Sequence, residues 1–225
     1  MIFKELSCGK SVEKRKIKIY KTPASAKKYF YLMAGVHGDE ISGIYVLKKL
    51  FTWLKKENIT SLPLIVIPIA NPDGHAKNTR KNAHQVDLNR NLPTRDWTPL
   101  VSKKKYHPGP YPLSEPENQF LVSMFEQYPP ALIISFHSWK PILNYNGKGL
   151  VKKTALFLAH YNDYPVAGDI GYPTPGSLGT FGPEKHKIGV LTFECPPISK
   201  SKTLENIWKE NELGLKALLK KKFKI

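Results

Sequence analysis

Four apolar runs, Phe30 to Ala34, Leu64 to Ile69, Leu132 to Phe136 and Val190 to Phe193, constrain this chain more than any other feature. They are continuous rather than alternating, so the strands they form need cover on both faces. Helical patterns lie between and after them. Ile44, Leu47, Leu50, Phe51 and Leu54 recur at helical spacing after Glu40, and Phe120, Leu121, Met124 and Phe125 form a second face. Leu204, Ile207, Trp208, Leu215, Leu218 and Leu219 give a C-terminal amphipathic helix with lysines outside. Strands alternating with helices predict a single three-layer α/β domain over residues 1–225. Residues 92–117, with six prolines, and residues 161–185, rich in Gly, Pro and Tyr, read as long loops forming ordered rims of a cleft.

Three of the four runs end in chemistry: His37 after the first, His137 after the third, Glu194 after the fourth. The second ends in Asn71-Pro72-Asp73-Gly74. Open α/β sheets bind ligands beyond the carboxyl ends of their strands, so polar residues there are expected to converge. Taken alone, His37 reads as a hydrogen-bonded strand-end residue and Glu40 as an acid favoured by a helix dipole. Together they say more, because Gly35 and Gly38 let the backbone bend tightly enough to aim both at one point. With His137 they make a two-histidine, one-carboxylate set suited to one catalytic Zn2+ per chain, the fourth position being left to water.

Such a metal needs a base. Glu194, at the end of a buried strand, can take a proton from the attacking water and pass it to a leaving amine. Pairing with a surface lysine is the alternative for that residue. The polar segment 71–91 adds Arg80, Asn89 and Arg90. A guanidinium fork suits a carboxylate, and a separate arginine suits an oxyanion. Asp87 can accept a hydrogen bond from His37 and orient it. This chemistry is metal-assisted hydrolysis of an amide in an anionic substrate.

The charge agrees without proving it. Thirty-five Lys+Arg against 18 Asp+Glu give +17, a surface attractive to polyanions. The lysines are spread along the chain, with clusters at Lys103 to Lys105 and Lys220 to Lys222, and no nucleic-acid motif accompanies them. A solvated lysine-rich surface is the reading, with no specific nucleic-acid partner. No apolar run is long enough for a membrane span and no signal peptide is visible, which predicts a cytoplasmic protein, or a periplasmic one if a leader has been removed. Cys8 and Cys195 are too few for a disulfide framework and are expected to be free buried thiols.

At these residues the sequence resembles the zinc carboxypeptidase family of the pancreatic carboxypeptidase A type. The matching pieces stand in family order: His37-x-x-Glu40, Asn71 to Gly74, Arg80, Asp87-Leu88-Asn89-Arg90-Asn91, Ser135-Phe136-His137-Ser138 and Phe193-Glu194, spanning residues 31–197. The resemblance implies an α/β/α fold with a mixed, mostly parallel central sheet. It implies His37, Glu40 and His137 as zinc ligands, Asp87 as the partner of the first, and Arg80 as the oxyanion arginine. Asn89 and Arg90 match the pair that grips the substrate's terminal carboxylate, and Glu194 the general base. The family's mobile-loop tyrosine is matched by Tyr172 in GYPTPGSLGTF, where the local spacing is one residue off.

Shorter length, the GYPTPGS loop, SEPE (Ser114 to Glu117) and NYNG (Asn144 to Gly147) are most similar to the bacterial murein peptide amidases. That group cleaves between γ-D-glutamate and meso-diaminopimelate, an acidic peptide substrate. The rival readings are an N-acyl amino acid deacylase or desuccinylase, a carboxypeptidase for ordinary L-peptides, and a binding protein that kept the fold without turnover.

Overall fold

The computed structural model describes residues 3–57 and 61–224. Four two-residue strands open the chain: β1 (Lys4–Glu5), β2 (Gly9–Lys10), β3 (Lys16–Ile17) and β4 (Tyr20–Lys21). Then come β5 (Tyr29–Ala34), α1 (Ile41–Leu54), β6 (Leu64–Ile67), α2 (Pro72–Lys77), α3 (Pro116–Gln127) and β7 (Pro130–Ser138). The chain ends with β8 (Ile142–Asn146), α4 (Leu150–Asn162), β9 (Val166–Ala167), α5 (Leu178–Phe181), β10 (Gly189–Cys195) and α6 (Leu204–Lys220).

Eight strands form one sheet in the order β1-β4-β6-β5-β7-β10-β8-β9, while β2 and β3 pair separately. The central strands β6, β5, β7 and β10 are parallel, as are β8 and β9 at the edge; β1, β4 and the β10–β8 pair run antiparallel. The sheet is therefore mixed and mostly parallel, as expected. All four apolar runs are strands of its centre. The second is shorter than its run: β6 stops at Ile67 because Pro68 has no N–H to continue the ladder. Pairing resumes past the proline, where Ala70 N donates to Ala34 O at 2.9 Å and Asn71 N to Gly35 O at 2.7 Å.

Alternate residues of the central strands feed two cores. Leu32, Ala34, Ile134, Phe136, Leu191 and Phe193 pack with Leu47, Leu50 and Leu54 of α1, Ala155 and Leu158 of α4, and Ile207, Leu215 and Leu218 of α6. Tyr31, Met33, Ile65, Ile67, Ile133 and Val190 face the other way, against Leu121, Met124 and Phe125 of α3. This double cover is what continuous apolar strands demand, at roughly 1.5–3 kcal/mol for each large side chain fully buried.

Two expectations need correction. Cys195 is buried but Cys8 is half-exposed, because it sits in a short N-terminal strand connection rather than in either core. Asp73 does not join the strand-end cluster. Asn71 caps α2, accepting from Gly74 N at 2.8 Å, and this turns Asp73 towards the N-terminal segment. There its carboxylate accepts from Ser11 Oγ at 2.7 Å, Glu13 N at 2.9 Å and Arg15 at 2.8 Å. Among the described residues no helix is long and apolar enough to cross a membrane.

Candidate active site

The chain passes from β5 to β6 on one side of the sheet and then returns to β7 on the other side of β5. Strand order reverses there, and a crevice opens beyond the strand ends at such a point. His37 follows β5, and His137 lies near the end of β7. Gly35 turns the chain out of β5 at φ +66°, and Gly38 passes so close to the Gly74–His75 backbone that a Cβ would stand 2.0 Å from Gly74 C. Both glycines are needed, the first for its dihedral and the second for its bare backbone.

Glu40 stands at the N-cap of α1 yet makes no side-chain cap bond. Its carboxylate turns into the crevice, 2.7 Å from His37 Nδ1 through Oε1 and 2.7 Å from His137 Nδ1 through Oε2. Ser138 N also donates to Oε2, at 3.2 Å. The capping role passes to Ser138 Oγ, which accepts from Gly43 N at 2.9 Å. Donor atoms of His37, Glu40 and His137 all lie within 4.8 Å of one another. Two imidazole nitrogens and a carboxylate at that spacing, with one side open to the cleft, fit a tetrahedral zinc site with its fourth position free.

The three candidate ligands are held from behind. His37 Nε2 donates to Asp87 Oδ1 at 3.0 Å, which fixes the ring so that Nδ1 faces the site, and Ser135 Oγ lies 3.0 Å from His137 Nε2. Asp87 is fully buried and also receives Arg80, whose Nε and Nη2 donate to Oδ2 at 3.0 and 2.9 Å. Arg80 Nη1 reaches Glu40 Oε1 at 3.4 Å. Burial works to raise the Glu40 and Asp87 carboxyls, but the facing histidines, with the arginines around Asp87, outweigh it and hold both well below the usual range. Burial likewise opposes charge on His37, and Glu40 and Asp87 overcome it to raise that imidazole.

Glu194 is the cross-strand neighbour of His137 on β10 and lines the same cavity. One of its oxygens, Oε2, is buried without a hydrogen-bond partner among the described residues. Burial is the main reason its carboxyl is pushed up to about 7; the Glu40 charge adds to this, and His137 and Arg80 oppose it. Such a group exchanges a proton near neutral pH.

Arg80, Asn89, Arg90 and Tyr172 also line the cavity, so the structure brings every sequence-predicted site residue to the cleft or directly behind it. Asn89 Oδ1 accepts from Leu178 N at 2.9 Å. Arg90 is buried, with no carboxylate in ion-pair range among the described residues, and burial lowers its pKa. Tyr172 is 39% exposed and meets Trp139 edge-on at 6.0 Å between ring centroids. Asn144, Asn146, Thr174, Ser177 and Thr192 add neutral polar side chains to the cavity lining.

For several of these residues the sequence reading assigned no individual role. Ser135 and Thr192 could have been found by counting back two positions from His137 and Glu194, since alternate strand residues share a face. Tyr106 lies under both arginines in a proline-rich loop with no periodicity to betray it.

The sequence profile of the zinc carboxypeptidase family matches residues 2–148. Murein peptide amidase A of Vibrio campbellii is 33% identical over 210 residues, 88% of this chain and 82% of that protein. Murein peptide amidase A of Escherichia coli K12 is 29% identical over 83% of this chain and 78% of its own length. Among solved structures, the murein-tripeptide amidase of Escherichia coli O157 superposes with a TM-score of 0.75 at 26% identity, covering 94% of this chain and 89% of that one. The carboxypeptidase A of Helicoverpa armigera shares the fold, with a TM-score of 0.82 at 20% identity over 99% of this chain and 69% of its own.

Proposed function

Because the chain belongs to the zinc carboxypeptidase family, and is a peptide-bond hydrolase on that ground, we propose that its substrate is a murein peptide and that its own residues divide the work as follows. The scissile bond is the γ-D-glutamyl–meso-diaminopimelate amide of a released wall fragment, a recycling role, and the whole chain acts as one catalytic domain. His37 and His137 through Nδ1, with Glu40, would hold the metal. What zinc supplies when bound there is Lewis acidity, which acidifies water and polarises the amide carbonyl.

Glu194 takes the proton of the attacking water and delivers it to the departing amine, a role suited to a carboxyl poised near neutrality. Arg80, fastened to Asp87 by two hydrogen bonds, presents its remaining N–H groups to the oxyanion. Arg90 and Asn89 bind the terminal carboxylate of the leaving residue, and Tyr172 closes over it from the rim.

The observation that carries the substrate assignment is the neutral polar wall of Asn144, Asn146, Thr174, Ser177 and Thr192. An apolar leaving side chain would strip the Asn146 amide and the Thr192 hydroxyl of water without replacing their hydrogen bonds, and a purely cationic one would meet no acid in this wall. A side chain ending in both an ammonium and a carboxylate finds acceptors and donors together. The test is release of free diaminopimelate from murein tripeptide by the zinc-loaded protein, run beside N-acyl amino acids and a blocked L-dipeptide. Hydrolysis of the tripeptide well above the other two is expected. Preferential cleavage of either rival substrate would overturn the assignment.

A further inference from the structure

Arg90 poses a structural problem that its proposed role makes sharper. Arg80 is clamped by two bonds to Asp87, but the polar contact of the Arg90 guanidinium is Nη1 donating to the neighbouring Asn89 O at 2.6 Å. It is a buried cation whose charge Arg80 opposes, and Asp87 supports it only from beyond ion-pair range. An acid placed beside it would steady it, but would also occupy the donors that a substrate carboxylate needs.

We propose that Tyr106 solves this as a positioning residue, its ring holding Arg90 in the plane that receives the substrate carboxylate. The inference rests on the reading of Arg90 as the carboxylate-binding residue. The Tyr106 ring centroid lies 5.1 Å from Arg90 Cζ and 5.6 Å from Arg80 Cζ, both within the ~6 Å reach of a cation over an aromatic face. A π-face attracts a guanidinium through its electrons and accepts no in-plane N–H, so the edge of the fork stays free for a carboxylate. The same ring serves both arginines, and Lys105 Nζ also stands 4.9 Å from its centroid.

The backbone makes the ring a fixed support. Tyr106 ends a short 3-10 turn, Lys104–Tyr106, whose closing bond is Tyr106 N to Lys103 O at 2.9 Å. One residue on, His107 O accepts from Asp87 N at 2.7 Å, and Pro108 O accepts from Asn91 Nδ2 at 2.8 Å. The loop is thus fastened on both sides of Arg90, to the segment that carries Asp87 and Arg90 themselves. Tyr106 also lines the active-site cavity beside Arg90 and Tyr172, which places its ring at the end of the cleft where the carboxylate would lie.

The experiment uses the zinc-loaded full chain and two substrates, murein tripeptide with its terminal carboxylate free and the same peptide with that carboxylate amidated. Tyr106→Leu should raise KM for the free acid about tenfold, the scale of a desolvated cation–π contact, with kcat changed less than about twofold. Its preference for acid over amide should shrink by the same factor, while zinc content and melting temperature stay at wild-type values. Tyr106→Phe keeps the face and should behave as wild type. Should leucine disturb the loop, Tyr106→Gln carries the same expectation. A Leu or Gln variant with wild-type KM, beside an Arg90→Ala variant whose KM rises, overturns the role of Tyr106 and leaves the role of Arg90 standing. An Arg90→Ala variant with unchanged acid preference overturns both, and a Phe variant as impaired as Leu assigns the effect to the hydroxyl and overturns the ring argument.

Discussion

Replacing Glu194 by glutamine should remove a pH-dependent weakness from the metal-free protein. The Glu194 carboxyl is buried, with Oε2 unpartnered among the described residues, and burial above all lifts it from the ordinary 4.5 to about 7. In the unfolded chain it ionises near 4.5, so between the two values the folded state holds more protons. The sign follows: stability from this group is fully present below about pH 4.5, is lost as pH rises through about 7, and is flat above. At 1.36 kcal/mol per pH unit of difference, the loss is about 3 kcal/mol. Glutamine cannot ionise, and its curve lacks that fall.

The assay is urea unfolding of chelator-treated wild type and Glu194→Gln across about pH 5 to 8.5. The amide brings a constant offset of its own, so only the pH dependence of the difference is diagnostic. Wild type should lose most of about 3 kcal/mol relative to the variant over that range. Groups remote from Glu194 are common to both proteins and cancel in the difference. Parallel stability curves would refute the reasoning, because they would mean that Glu194 ionises in the fold as easily as in water.

In the zinc-loaded enzyme, Glu194→Gln should lower kcat by about 10²- to 10⁴-fold with zinc retained, since it removes the proton acceptor and no ligand; near-normal turnover would refute the role. His37→Ala should lose zinc on equilibrium dialysis, and full occupancy would show that another residue holds the metal. Asp87→Asn keeps the shape but not the charge that orients His37 and Arg80, so zinc affinity should fall about 10- to 100-fold by competition with a chromogenic chelator. An unchanged affinity would make Asp87 a packing residue only.

The sheet and much of the site could be read from the chain because the strand ends change character on one face alone. On β7, Ser135 and His137 alternate with buried Ile134 and Phe136; on β10, Thr192 and Glu194 alternate with Leu191, Phe193 and Cys195. A strand that stays apolar on one face and turns polar on the other announces a site. What went unread lacks such a pattern. β1 to β4 and β9 are two residues long and exist through pairing, and β8, Ile142–Asn146, carries two asparagines because it walls the cleft. Asp73 looked like its strand-end neighbours, and only the Asn71 cap, a tertiary outcome of where α2 begins, sends it elsewhere. Tyr106 depends on how a loop folds back onto Asp87 and Asn91, and no local rule encodes that return.

The three candidate metal ligands are positioned by helix–strand docking more than by their own side-chain preferences. Glu40 gives up the capping bond an N-cap residue ordinarily makes, which leaves the start of α1 needing a partner. Ser138, next to His137, supplies it through Gly43 N. Gly43 in turn has no side chain because His137 O would lie 2.7 Å from its Cβ. The helix that carries Glu40 and the strand that carries His137 therefore meet backbone to backbone, locked by one cap and by Ser138 N on Glu40 Oε2. His37 is set by the turn between β5 and α1 and by Asp87 behind it. Moving Glu40 away from His137 means undocking α1 from β7, which would uncover Leu47 and Leu50 from the core they share with Phe136. The apolar core under α1 thus guards the geometry of the polar site above it.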